Sequence, residues 1–85
     1  MKQILFQGQK NVIGKKLQTI RKEKGLSQND LAAKMQTMNV NIDQQMISKI
    51  EKNQRQVTDF EFACFCKCLQ VTAEELLRDF DALLK

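Results

Sequence analysis

Apolar residues recur along this chain at the three- and four-residue spacings of helices, and polar runs carrying helix-capping residues interrupt them. Ile13, Leu17 and Ile20 predict a helix over about 12–24, stopped by Gly25 just past its end. Ser27, with Asp30 three residues on, opens a second helix over about 28–38, whose apolar stripe is Leu31, Ala32, Met35 and Met38. Residues 37–42 are then a turn or a frayed end. Asp43 is the N-cap of a third helix over about 44–53, with Ile47 and Ile50 inward and Ile42 set to staple against Met46 or Ile47. Thr58 and Glu61 form a capping box for a fourth helix over about 59–69, with Phe62, Phe65, Cys66 and Leu69 on its inner face. Thr72 and Glu75 repeat that box for a fifth over about 73–84. Its stripe of Leu76, Leu77, Phe80, Leu83 and Leu84 either packs wholly on helices one and four or leaves an edge for a homodimer. The pattern is all-α, one five-helix domain behind an arm of residues 1–11. In that arm Ile4, Leu5 and Phe6 fold back on the core, pack on a partner, or stay mobile.

The second and third helices carry the chemistry. Gln44 and Gln45 stand on the first turn of the third helix and Lys49 follows one turn later. An amide offers one acceptor and two donors, which suits the N6/N7 edge of adenine, and a lysine suits guanine O6/N7. Ser48 and Lys52 are left for solvent or a partner. Two capped helices joined by a turn, the second with polar groups at its start, read as a helix-turn-helix that enters the major groove. The plainer reading of the two glutamines is an ordinary polar helix start.

Charge sharpens that picture. Residues 1–56 hold eleven Lys/Arg against four Asp/Glu, a local +7, while residues 57–85 hold three against six, a local −3. A basic front and an acidic back give one face to a polyanion and turn the other away. With no histidine, two serines that nothing activates and no glycine-rich phosphate loop, catalysis is not expected. The three cysteines, Cys64, Cys66 and Cys68, are too few and too odd in number for a disulfide framework. On a helix Cys66 lies nearly opposite the other two, so the three thiolates cannot converge on one metal. They read as small buried hydrophobes, Cys68 partly exposed and open to oxidation; no metal and no cofactor is expected. No apolar run approaches the ~18 residues of a membrane span, and a cytoplasmic location is expected.

From Ile13 to Leu77 the chain resembles the lambda-repressor-like, Cro-type helix-turn-helix regulators. The landmarks are Ile13-Gly14, Leu17, Arg21, Gly25-Leu26-Ser27-Gln28, Leu31-Ala32, Ile47-Ser48-Lys49-Ile50-Glu51 and Leu69-Gln70-Val71. The resemblance implies a compact five-helix bundle with the third helix in the major groove. By the same resemblance Gln44, Gln45 and Lys49 read bases, and Gln28, Asn53 and Arg55 touch the DNA backbone, where Ser48 and Lys52 join them. It further implies a structural ion pair between Arg21 and Glu51. The function that follows is a sequence-specific regulator, a repressor acting as a homodimer on a palindromic operator in double-stranded DNA, with no small-molecule ligand. The competing function is a protein-protein interaction module, such as an antitoxin or regulatory partner, that keeps the fold. One departure stands out: the stretch from Leu31-Ala32 to Ile50-Glu51 is about five residues longer than the family's short turn allows. The extra length is expected to extend the second helix through Met38 and to lengthen the loop at Asn39–Asn41.

Overall fold

The computed structural model describes residues 3–84 and is all-helical, with α1 at Gly14–Glu23, α2 at Gln28–Thr37, α3 at Gln44–Glu51, α4 at Asp59–Leu69, α5 at Ala73–Leu76 and α6 at Arg78–Leu83. Side-chain caps set the starts. Ser27 and Thr58 each accept from the third backbone N–H of their helix, and Asp30 and Glu61 return the bond to complete both boxes. Asp43 accepts from the Met46 N–H and Thr72 from the Glu75 N–H. Each cap satisfies an otherwise orphaned donor and is worth about 1 kcal/mol.

The four longer helices end alike. Gly25, Asn39, Asn53 and Gln70 adopt left-handed backbone with φ of 72°, 63°, 62° and 57°. In each case the next residue's N–H reaches back five residues, as Leu26 does to Arg21, Val40 to Met35, Gln54 to Lys49 and Val71 to Cys66. These are Schellman closures, and Leu26, Val40 and Val71 supply the apolar residue that packs beneath them.

Several boundaries differ from the expected pattern: α2 stops at Thr37 rather than Met38, α3 stops at Glu51 rather than residue 53, and two further departures stand out. The first helix begins at Gly14 rather than residue 12, because the Asn11 side chain accepts from the N–H groups of Ile13 and Gly14 at 3.2 and 2.8 Å. The expected fifth helix is two short ones, with Leu77 closing α5 and opening α6 at φ −94°, ψ 5°. No glycine or proline marks that break in the sequence. Past it, the Phe80 ring meets Phe6 edge-on, with centroids 5.2 Å apart.

One core lies between α1, α2, α3, α4 and α5. Leu17, Leu31, Met35, Ile47, Ile50, Phe65 and Leu76 are all fully buried there. Helices α2 and α3 pack on each other, and α3 also packs on α1. Leu83 and Leu84, by contrast, are 49% and 63% exposed. The last leucines of the chain's apolar stripe therefore lie outside the core.

The arm folds back on the domain. Phe6 and Gln9 exchange backbone hydrogen bonds across a two-residue turn in which Gln7 and Gly8 both have positive φ. Asn11, 8% exposed, donates from its amide to the carbonyls of Ile50 and Arg55. Asn53 accepts from the Lys10 N–H and donates to the Asn11 carbonyl, so the two asparagines tie the arm to the end of α3. Gly14 sits at the same junction. A Cβ there would drive into the Ile50 carbonyl oxygen and crowd the Asn11 amide. Gly14→Ala is expected to cost at least about 1 to 3 kcal/mol, read as a lower denaturant midpoint with an unchanged slope.

Candidate nucleic-acid interface

Helix α3 is short, and the apolar side chains Ile47 and Ile50 fix its inner face by full burial. Its outer face then presents Gln45, Lys49 and, just beyond the last turn, Lys52 to solvent, with Gln44 and Ser48 at the margins. Asp43 caps the end that carries Gln44 and Gln45.

A polar chain behind that face links three helices. The Glu51 carboxylate, its side chain only 1% exposed, accepts from Arg21 Nε at 2.7 Å and from Arg21 Nη2 at 3.1 Å. Arg21 Nη1 donates to the Leu26 carbonyl at 2.7 Å. The same carboxylate accepts from Gln28 Nε2 at 2.9 Å, and Gln28 Oε1 in turn accepts from Gln44 Nε2. The chain runs Arg21, Glu51, Gln28, Gln44, from the core to the surface. Gln28 thus has both ends of its amide engaged within the protein. Gln44 keeps one amide hydrogen and its carbonyl oxygen unused by these bonds, which is the donor and acceptor pair that an adenine edge requires.

Besides Gln28, two more residues expected at the DNA backbone are engaged inside the protein. Arg55 forks onto Glu61, with Nη1 and Nη2 at 2.9 and 2.7 Å from the two carboxylate oxygens, and also donates to the Gln56 carbonyl. The Arg55 guanidinium and the Thr58 N–H hold the Glu61 carboxyl below its ordinary range, and Glu61 raises Arg55 in return. Asn53 spends its side chain on the arm. Lys52 is exposed, and it shares the walls of an open cleft of about 500 Å³ with Lys15 and Lys16 at the start of α1. The helical spacing of the sequence gives Lys15 and Lys16 no special place. Their place on the third helix's flank follows only from α1 meeting the end of α3.

Three features escaped sequence reasoning. Glu61 was read as half of a capping box, yet it is 5% exposed and salt-bridged. The spacing of Arg55 and Glu61, six residues across a loop, gave no helical signal. Asn11 looked like part of an irregular arm. In the connection between α2 and α3, Val40 and Ile42 are buried at 8% and 1% exposure, while Asn39 and Asn41 face solvent.

Arg55→Ala should lower stability by roughly 1 to 3 kcal/mol at neutral pH, since it strands a buried carboxylate. Glu61 has a folded-state pKa below its ordinary 4.5, so its contribution is complete above that value and is lost as pH falls through the depressed one. The gap between wild type and Arg55→Ala should therefore narrow in acid, as unfolding curves from pH 7 down to pH ~3 would show. A gap independent of pH would assign the loss to something other than the ion pair.

Among the described residues no helix is long and apolar enough to cross a membrane. A comparison with curated proteins finds no match. A helix-turn-helix family model matches residues 17–76, from the middle of α1 through α5, and so takes in both helices of the motif and the carboxylate network behind them. The chain belongs to the Cro/C1-type, lambda-repressor-like family of helix-turn-helix DNA-binding regulators.

Proposed function

We propose that this protein is a sequence-specific transcriptional repressor, located in the cytoplasm, that lays α3 in the major groove and reads bases with Gln44, Gln45 and Lys49. The observation that carries this reading is the anchored Gln44 amide. Glu51 and Gln28 hold it from behind and leave one donor and one acceptor for a base edge. A preset side chain loses less rotamer freedom on binding than a free one. Gln45 and Lys49 are exposed on the same helix and extend the reading surface.

Ser48 and Lys52 contact the phosphates that flank the groove, joined by Lys15 and Lys16 across the cleft. Gln28, at the first turn of α2, adds its remaining amide hydrogen to a phosphate while it holds Gln44. Asn53 and Arg55 contribute by shaping the loop after α3, through their bonds to the arm and to Glu61. The protein acts as a homodimer on a palindromic operator, with half-sites about one helical turn, roughly 34 Å, apart. The exposed Leu83 and Leu84 support an interface between copies.

Gln44→Ala should cost about 1 to 3 kcal/mol on the preferred duplex and little on random duplex. Lys52→Ala should weaken both alike and reduce the slope of log affinity against log salt by about one. Binding isotherms of both variants at several salt concentrations, on a duplex selected from a random pool, test this. An equal loss on both duplexes for Gln44→Ala would remove it from the reading surface.

A further inference from the structure

The α2–α4 crossing brings together three sulfur atoms that the DNA-binding face does not use. Cys68 Sγ lies 3.6 Å from Met35 Sδ and 3.6 Å from Met38 Sδ. Met35 is fully buried, Met38 is 38% exposed, and Cys68 is intermediate, so the trio runs from the core to the surface. A cleft of about 190 Å³ opens beside Cys68, walled by Leu26, Lys34 and Gln70 among others. Three cysteines on one helix cannot converge, but here two of the sulfurs are thioethers from α2 and its C-cap.

A single thiol hydrogen cannot serve two thioethers well, and sulfur is a poor hydrogen-bond acceptor. The arrangement has a different natural complement. One thiolate and two thioethers are soft ligands, the class that selects Cu(I) over harder ions. Zinc asks for four ligands and is commonly served by histidine, which this chain lacks. Trigonal Cu(I) with Cu–S near ~2.3 Å, the length typical of metal–thiolate bonds, sets its sulfurs ~4 Å apart. Each of the two distances from Cys68 Sγ to a methionine sulfur needs to open by only a few tenths of an ångström, and unbranched methionines adapt to that. Lys24 and Lys34 are the cations on the cleft wall, and their exposed, flexible stems let both ammonium groups turn to solvent.

We propose that Met35 Sδ, Met38 Sδ and Cys68 Sγ form a three-coordinate site for Cu(I) between α2 and α4. On binding, the Cys68 thiol releases its proton to water and the sulfur takes up the metal. Copper enters and stays as Cu(I), so no electron is transferred. The site clamps the last turn of α2 to α4 and raises the temperature of unfolding by mass action.

The test is an anaerobic titration of the whole reduced protein with Cu(I), in competition with a chromophoric Cu(I) chelator. Wild type should hold one tight equivalent and melt at a higher temperature with it. Cys66→Ser should behave like wild type, since Cys66 lies on nearly the opposite side of α4. Met38→Leu, a near-isosteric change at a partly exposed position, should weaken binding by more than about tenfold, because even a group that only orients a ligand typically contributes that much. Cys68→Ser should abolish the tight equivalent and the rise in melting temperature. If Met38→Leu binds as tightly as wild type, or if Cys66→Ser loses as much as Cys68→Ser, the three-sulfur site is wrong. Met38→Leu decides the matter even where Cys68→Ser fails to fold.

Discussion

The carboxylate of Glu51 is the constraint on which the rest of this structure depends. It belongs to α3, and α3 faces water along one side, yet this side chain is turned inward and almost wholly hidden. An unpaired carboxylate in that position would cost several kcal/mol. Arg21 from α1 and Gln28 from α2 meet that cost together, and neither can do so unless α3 sits at one height and one rotation against both helices. Replacing the pair with apolar side chains could leave the fold as stable, since buried ion pairs often only break even. It would remove the directional bonds that orient Gln28, and through Gln28 the amide of Gln44. A term that adds little to stability is therefore well suited to aiming a side chain.

The far end of α3 is held by the same logic with neutral groups. The carbonyl of Ile50, at the C-terminal end of α3, accepts from the Asn53 N–H at 3.1 Å and keeps a second lone pair for another donor. Asn11 donates to it from the arm, and only a residue without a Cβ at position 14 lets α1 begin close enough for that bond. Asn53, in left-handed backbone just past the helix, then clasps the arm in return. The arm thus belongs to the support of α3. Phe6 on Phe80 ties the same segment to α6, so the arm and α6 meet over one patch.

The family and the helical layout were legible because they rest on local, repeated signals. Ser27, Asp43, Thr58 and Thr72 each announce a helix start from their own side chain, and the apolar spacing gives each inner face. Helix ends were harder. Only Gly25 of the four left-handed closures is a glycine, and a Gln70 at φ 57° carries no compositional mark. The fifth helix broke at Leu77 with nothing in the sequence to warn of it. Long-range polar bonds were least legible of all. Asn11 to Ile50, Arg55 to Glu61 and Cys68 to the methionines need the path of a loop or the crossing of two helices, which periodicity does not contain.

The connection between α2 and α3 is held residue by residue although it has no helix of its own. Its residues leave α2 regular to Thr37, one residue short of the expected Met38, and α3 packed on α2. Asn39 turns the chain in left-handed backbone, Val40 drops back into the core and closes on the Met35 carbonyl, and Ile42 is buried again before Asp43 caps α3. The Gln36 amide donates to the Ile42 carbonyl and fixes the stretch between them. Alternate residues are thus anchored while Asn39 and Asn41 bulge outward. Adding a few residues to a closed loop costs only tenths of a kcal/mol in entropy, whereas burying two branched apolar side chains gains several times that. The balance favours a fixed joint over a slack one, and a fixed joint is what the base-reading role proposed for α3 requires.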